Sequence, residues 1–418
     1  MRRFANIYII LFLIDASLSL IDELFVASST SLSFVSEIRY FFATIVITLS
    51  MVIFACLGID RRLPKRVFLP MTLYISWCAL AMWPLSGVIG RESLGLLAAC
   101  NQLLLGGIVL VMLRGMGGQF LLTQEHFQQP MFSLRNTLGF TAINLLLAPF
   151  VLVYSGLALT SYYLEEQTAG FLRLSPIGIY MSERSYHLDE KVVRLAGMMH
   201  IGKADYFEDV AGSMSAQKTI ILTEGVTDQD GLLETQFNYG KLAGIIGLTS
   251  QEKMHLDGNL IDLNDFDAPD QADREVGKPD IARADIDLNQ FEPETLAFLN
   301  ELGRNLFGDR PLLEGLAEYN VWVEEHMTPQ SVAGIMVDII DKRNAVVIDG
   351  MVRSLSRYDT IIIPWGAMHM PAIEEAVLGE GFAPGAERER LSLDFRTLPY
   401  AELWQKWSEQ TGDVLDKS

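Results

Sequence analysis

Long apolar runs dominate the first 160 residues, whereas shorter apolar runs alternate with helical patterns in the rest of the chain. A helix needs about 20 mostly apolar residues to cross ~30 Å of hydrocarbon. Five stretches reach or approach that length: Phe4–Leu20, Tyr40–Leu57, Phe68–Ile89, Leu94–Leu113 and Leu138–Leu159. The pattern therefore predicts a multi-pass α-helical membrane domain over residues 1–160, with about five transmembrane helices, followed by a soluble domain over residues 161–418.

The first apolar stretch has two interpretations. Two arginines followed by an apolar run are also typical of a cleaved secretory signal. No small-x-small cleavage site closes this run, which favours an uncleaved helix. Asp15 lies within it, and an acidic residue near a helix end is more often solvated or paired than functional.

The basic loops predict the orientation of the membrane domain. The segment Asp60–Arg66 places four basic residues in one short loop, and basic loops beside spans face the cytoplasm. Three predicted crossings follow this loop, whether the first stretch is a cleaved signal or a membrane helix. We therefore expect residues 161–418 outside the cytoplasm, anchored in an inner or plasma membrane.

Charge separates the two domains as clearly as hydropathy does. Residues 1–160 hold ten Lys or Arg and seven Asp or Glu, whereas residues 161–418 hold 22 and 45. Such an acidic surface repels phosphates, so we expect no nucleic-acid partner. The three cysteines all lie in the membrane domain, which excludes a disulfide framework or a Cys-based zinc site from the soluble domain.

Strand and helix patterns alternate in the soluble domain. The predicted strands are Val192–Gly197, Thr219–Thr223 and Thr360–Ile363, and the predicted helices are Ala204–Ser215, Ser331–Ile348 and Pro371–Leu378. This order predicts an extracytoplasmic α/β domain with a central, mostly buried β-sheet.

An acidic segment interrupts that alternation. Asp257–Glu294 contains twelve acidic and three basic residues, so we expect an exposed and partly mobile excursion. Asp285–Asn289 begins like a calcium-binding EF-hand loop. Gln290 replaces the required Gly, however, and Leu296 replaces the required Glu, so the match fails.

Candidate chemistry lies at the ends of the predicted strands. His200 and His369 each follow a strand as the last residue of a Gly-x-x-His motif, and Glu224 directly follows a third strand. Strand ends are where α/β sheets place ligands. Two imidazoles and a carboxylate can hold a divalent ion with positions open to water, and Arg343 can steady a developing oxyanion. Two such Gly-x-x-His motifs arise by chance about one time in ten in a chain of this composition. The spacing is therefore also consistent with two buried histidines that only form hydrogen bonds and have no catalytic function.

The order of the motifs resembles that of the TraB/PrgY/GumN family. The matching segments are Gly197–His200, Ile221–Gly225, Lys342–Asn344, Ile363–Pro371 and Gly381–Phe382. That family includes the Tiki membrane metalloproteases and is similar to the erythromycin-esterase and ChaN-type domains. The resemblance covers most of the soluble domain and none of the membrane domain. In one departure, Met198 stands where the family often has Thr, which removes a hydroxyl from the site.

The resemblance implies a membrane-anchored, metal-dependent hydrolase of the peptidase type. His200, His369 and Glu224 would be the ligands of a divalent ion such as zinc, manganese or cobalt. Glu224 is either a ligand or the general base, and Arg343 joins it as a catalytic residue. Two alternatives stay open: a non-catalytic protein that captures a peptide or signal in the same cleft, and a structural anchor for another envelope protein.

Overall fold

The structure is a computed structural model. It describes residues 1–28, 33–89, 91–214, 218–263, 275–308, 310–405 and 408. The chain forms two compact units, Met1–Tyr163 and Leu164–Ser418, which divide close to the boundary expected after residue 160.

The first unit consists of helices in its described part. They are α1 (Arg2–Ala27), α2 (Ser33–Ile59), α3 (Lys65–Ala79), α4 (Arg91–Gly117) and α5 (Leu134–Gln167), the last of which continues into the second unit. Among the described residues, four helices are long and apolar enough to cross a membrane: α1, α2, Ser93–Gly117 of α4, and α5.

The stretch Phe68–Ile89, expected to be one spanning helix, is divided. Helix α3 ends at Ala79, and a short 3-10 helix follows at Leu85–Gly87. Ala81 and Met82 both have a left-handed backbone with φ of 52°, which a right-handed helix cannot include, so the helix ends before Trp83-Pro84. The 15 residues of α3 are about 22 Å long, less than the ~30 Å of a hydrocarbon core.

Polar contacts mark two opposite ends of this unit. Hydrogen bonds at the first end join the start of α1 and the loop before α3 to the segment between α4 and α5: Asn6 with Leu122, Arg61 with Met131, and Lys65 with Asn136. At the second end, Arg39 of α2 forms ion pairs with Asp22 and Glu23 of α1. Basic loop residues therefore gather at the first end.

The chain crosses this unit between α2 and α4 even though α3 is short. Arg61 lies at the first end, while Gly95 of α4 lies against the Glu23 carboxylate at the second end. The 3-10 turn and its flanking residues complete the passage that α3 begins.

The second unit contains one large mixed sheet and a two-stranded ribbon in its described part. The strands are β1 (Leu172–Leu174), β2 (Gly178–Leu188), β3 (Lys191–Met198), β4 (Ile201–Gly202), β5 (Thr219–Thr223), β6 (Thr249–Ser250), β7 (Asn259–Ile261), β8 (Asp280–Arg283), β9 (Thr360–Gly366) and β10 (Ala383–Asp394). The large sheet has the order β1-β2-β3-β9-β5-β8-β7, with β10 paired to β2, and the ribbon is β4-β6.

Helices of the second unit connect these strands. They are α6 (Ala204–Gly212), α7 (Tyr239–Ile245), α8 (Pro293–Leu302), α9 (Leu312–His326), α10 (Pro329–Met336), α11 (Arg343–Ser354) and α12 (Met370–Gly379). A π-helical segment, Val337–Lys342, joins α10 to α11. Such segments interrupt α-helices most often at functional sites.

Neighbouring strands from β3 to β7 are parallel, and the inner ones are buried. Strand β5 reads Thr-Ile-Ile-Leu-Thr, and its first four residues are buried. Strand β9 pairs in parallel with both β3 and β5 and is buried from Ile361 to Trp365. Parallel strands covered on both faces are continuously apolar in this way, which confirms the predicted α/β class with a central buried sheet.

The antiparallel edge was not predicted. Strands β1, β2 and β10 carry alternating charged residues, including the bidentate pair of Arg173 with Glu389. Cross-strand charge pairs support such an edge. A pattern search for apolar runs does not find strands of this kind.

The interpretation of Asp257–Glu294 as an exposed excursion is wrong for much of its length. Strand β8 lies between β5 and β7 in the large sheet, and Ile281 and Ala282 are buried there. Ile286, Leu288 and Phe291 form a small apolar cluster of their own. Two adjacent apolar residues, Ile281 and Ala282, were therefore sufficient for a short buried strand among many acidic residues. Residues 264–274 of the segment lie outside the described residues.

Candidate functional site

Four adjacent parallel strands end at one edge of the sheet, each followed by a candidate polar side chain. In sheet order, β3 leads to His200, β9 to His369, β5 to Glu224 and β8 to Asp285. The carboxyl ends of parallel strands meet at one edge, which brings residues distant in sequence together. Arg343, the first residue of α11, reaches the same place.

Arg343 joins the two carboxylates in a buried ion-pair network. Its Nε and Nη2 atoms donate to the two oxygens of Asp285 at 3.0 and 2.8 Å, and Nη2 also donates to Glu224 Oε1 at 2.8 Å. Burial lowers the pKa of Arg343, but the two carboxylates outweigh it and hold that pKa above its usual value. The guanidinium is therefore a fixed cation at the strand ends.

Glu224 is held on both of its oxygens. Oε1 accepts from Arg343, and Oε2 accepts from the backbone N–H of Gly366 at 2.8 Å. A side chain at position 366 would place its Cβ 3.4 Å from Glu224 Oε2. That distance is an ordinary van der Waals contact, so the approach of the carboxylate does not require the glycine of this Gly-x-x-His motif.

His369 is a buried, neutral imidazole. Its Nδ1 lies 2.8 Å from Asn344 Oδ1, and its Nε2 lies 3.4 Å from Arg343 Nη1 and 3.7 Å from Glu224 Oε1. Burial lowers the pKa of His369 to about 4. Because Arg343 can only donate, Nε2 accepts and the ring proton is on Nδ1. The Nε2 lone pair therefore faces the charged cluster.

His200 lies on the cleft wall apart from this network. Its ring stacks on Tyr239 with centroids 4.5 Å apart, and its Nδ1 is 3.1 Å from Gln251 Oε1. The side chain is exposed. His200 thus shares the cleft of Glu224 and His369, while its polar contact in the described structure is with Gln251.

These residues line a cleft of about 900 Å³ within the second unit. Its polar lining includes His200, Glu224, Arg343 and His369, and also Asp228, Gln251 and Glu252. Apolar side chains line the remainder, among them Leu233, Phe237, Phe291, Phe298, Leu299, Leu302, Ile339 and Ile340. A few convergent polar groups within an apolar cleft are typical of a binding or active site.

The described donors do not fit a divalent ion as they are arranged. No group of three or more His, Cys, Asp or Glu side chains placed to hold a metal occurs among the residues that the structure describes. The nearest pair, His369 Nε2 and Glu224 Oε1, faces the guanidinium of Arg343. The cation at this position is thus supplied by the protein, and the ligand roles predicted for His200, His369 and Glu224 stay predictions.

Sequence reasoning missed two members of the network. Asp285 was considered only as part of a failed calcium loop, yet its side chain is fully buried against Arg343. Asn344 stood next to Arg343 without an assigned role, yet it orients His369. The position of Asp285 after the short run Ile281–Ala284 was the available signal, because that run is a strand.

No family model, no curated protein and no solved structure matches the chain.

Proposed function

We propose that this protein is a membrane-anchored hydrolase that cleaves a peptide-like substrate outside the cytoplasm. The observation that supports it best is the neutral imidazole of His369, whose Nε2 lone pair lies among Arg343 and Glu224 at the strand ends. A general base must be unprotonated at working pH, and burial lowers the pKa of His369 to about 4, which keeps the imidazole unprotonated but makes it a weaker base than a histidine that titrates near neutral pH.

Each member of the network has a role in this proposal. His369 Nε2 accepts the proton of an attacking water, while Asn344 holds the ring in the required tautomer. Arg343 stabilises negative charge on the oxygen of the attacked carbonyl. Glu224 and Asp285 hold the guanidinium in place. Glu224 is thereby a positioning residue, and its role as ligand or general base is left to experiment.

The walls of the cleft support a peptide-like substrate. The cleft of about 900 Å³ has room for several substrate side chains along its apolar walls, and the polar groups of Glu224, Arg343 and His369 lie together at the strand ends. A peptide offers apolar side chains for the walls and a polar carbonyl for Arg343.

The charge of the membrane unit supports the extracytoplasmic placement. Basic loop residues gather at one end of that unit, and α5 starts at this end, where Lys65 contacts Asn136. Basic ends face the cytoplasm, so α5 would lead the chain to the other side.

The family resemblance implies a divalent ion, and the experiment below tests whether cleavage depends on one. Full-length protein in detergent is incubated with a peptide library, first with a chelator and then with added zinc, manganese or cobalt. We expect cleavage by the wild type and by the control His187→Gln, an exposed histidine on β2, and its loss in His369→Gln. Cleavage only with added metal would support the metal-dependent form. Absence of cleavage under all conditions would contradict the hydrolase.

A second function has an observation in its favour. Arg343 already donates to both Asp285 and Glu224, and the described residues offer no three-ligand metal group. This self-contained network suits a non-catalytic protein that captures a peptide or signal in the same cleft. Binding of a peptide that is never cleaved, unchanged in His369→Gln, would favour this alternative.

A further inference from the structure

A second polar cluster lies in the membrane unit, at Asp15 of α1. This residue is only 4% exposed. Its Oδ2 accepts from Gln102 Nε2 at 2.8 Å, while its Oδ1 has no hydrogen-bond partner among the described residues. A buried carboxylate oxygen without a donor is costly in low-dielectric surroundings, so the carboxylate requires a cation or a proton.

A cavity of about 180 Å³ adjoins this carboxylate. All of α1 to α4 contribute to its lining, and the lining residues include Asp15, Ser19, Arg39, Cys78, Gly95 and Gln102. The volume corresponds to roughly six water molecules at ~30 Å³ each. The space is therefore sufficient for a small hydrated cation and for no organic ligand much larger than a benzene ring.

The cavity reaches the second end of the membrane unit. Asp15, Ser19 and Asp22 are spaced so that they share one face of α1, and all three are buried. Asp22 and Glu23 both pair with Arg39, which also lines the cavity. A polar path thus leads along α1 from Asp15 to the end where Arg39 lies.

The charges around the cavity favour a cation. Asp15, Asp22 and Glu23 are three acidic groups on α1, and Arg39 of α2 is the one basic group among the residues that line the cavity and are described. Helix α3 contributes the thiol of Cys78, and α4 contributes the neutral amide of Gln102. Arg39 is already engaged by two carboxylates, and no basic side chain among the described residues forms an ion pair with Asp15.

We propose that Asp15 is the binding site of a single monovalent cation, a proton or Na⁺, which enters from the Arg39 end. Oxygen ligands suit such a hard cation, and Asp15 and Ser19 line the cavity with oxygen atoms, while the Gln102 amide holds the other carboxylate oxygen in place. Calcium and magnesium take six or more oxygen ligands, waters included, and commonly several carboxylates, whereas one carboxylate lines this cavity among the described residues. The site lies in the membrane unit and is independent of the hydrolase proposal.

Carbodiimide labelling of the full-length protein tests this site. Dicyclohexylcarbodiimide reacts with protonated carboxyl groups in apolar surroundings, and peptide mass spectrometry locates the adduct. We expect labelling of Asp15, with a rate that falls about tenfold for each pH unit above the titration midpoint. If Na⁺ is the ligand, NaCl slows the labelling and choline chloride at the same ionic strength does not. If the proton is the ligand, the two salts act alike.

Matched variants make the assignment specific. Asp15→Asn should remove the adduct, whereas Glu37→Gln, at an exposed position near the start of α2, should leave the Asp15 adduct unchanged. The wild-type measurement stands even if Asp15→Asn does not fold. An unlabelled Asp15, or labelling that is independent of both pH and salt, would overturn the proposal.

Discussion

Asn344 Oδ1 lies 2.8 Å from His369 Nδ1, and this hydrogen bond selects the ring nitrogen that faces Arg343. Both residues are buried. The amide oxygen accepts the Nδ1 proton, so the lone pair of Nε2 is directed to the charged cluster. Asn344 does not itself react, but its hydrogen bond thereby determines which ring nitrogen of His369 can accept a proton.

Replacement of Asn344 by alanine should weaken both stability and activity. The Nδ1–H of His369 would lose its acceptor in a buried position, which costs about 1–3 kcal/mol of unfolding free energy. Loss of an orienting partner of this kind lowers activity roughly 10-fold to 100-fold where it has been measured at metal-bound histidines. Urea unfolding and peptide cleavage measure the two effects.

Asn289→Ala is the control for this change, because Asn289 is exposed and lies outside the cleft. It should leave both quantities close to the wild-type values. Wild-type activity in Asn344→Ala would show that the tautomer of His369 does not matter to function.

The stability of the second unit should rise with pH through the titration of His369. Burial lowers its pKa to about 4 from the ordinary 6.5, so between these values the unfolded chain binds a proton that the folded chain does not. The stabilisation is complete above about pH 6.5 and is lost as pH falls towards 4, with a difference of about 3 kcal/mol from this group. Urea unfolding of wild type and His369→Gln at both ends of the window measures it. Equal pH dependence in the two proteins would contradict the lowered pKa.

Local patterns predicted the parts of the fold that local chemistry determines. Thr219–Thr223 is a strand with the predicted bounds because its β-branched, apolar residues are suited to a buried parallel strand. Strand β9 extends past the predicted Ile363 to Gly366, since the sheet continues through Pro364 and Trp365. The predicted strand ends therefore identified the sheet edge that holds Glu224 and His369.

Long-range pairing could not be predicted from the same patterns. Arg343 and Asp285 form hydrogen bonds only because the start of α11 and the end of β8 lie together in the folded unit. Their spacing in the sequence does not predict this contact. The third apolar stretch was likewise read as one helix, because hydropathy averages over Trp83-Pro84. Topology and backbone geometry decide these features, and composition does not report them.

Removal of the guanidinium should convert the cluster into a metal site. In Arg343→Ser, Glu224 and Asp285 lose their shared cation, which should destabilise the unit by about 3–5 kcal/mol. The two carboxylates and His369 Nε2 would then offer three ligands to a divalent ion. Zinc or manganese at about 100 times its dissociation constant should restore about 2.7 kcal/mol, and thermal unfolding with and without metal measures this gain.

Lys342→Ser is the matched control, because Lys342 pairs with Asp338 and lies outside the cleft. It should gain no metal-dependent stability. Stoichiometric metal binding by the wild type, as tight as in Arg343→Ser, would show that the guanidinium does not exclude the ion and would favour the metal-dependent hydrolase.

The orientation of the second unit depends on the passage between α2 and α4. Helix α3 alone is too short to cross, but residues from Arg61 to Gly95 lead from the basic end of the membrane unit to the opposite end. If this segment, α4 and α5 each cross the membrane, three crossings follow the basic loop, and we expect the second unit on the side away from the cytoplasm. A reporter that is active only outside the cytoplasm should work when fused after Ser418 and fail when fused at Pro64.

Fusions at Val88, before α4, and at Phe120, after α4, test the individual crossings. The reporter at Val88 should be active and the reporter at Phe120 inactive. Activity at Pro64 and Phe120, with inactivity at Val88 and Ser418, would mean that the basic end faces outward. Inactivity at both Pro64 and Val88, with activity at Phe120, would mean that the segment after α2 folds back without crossing.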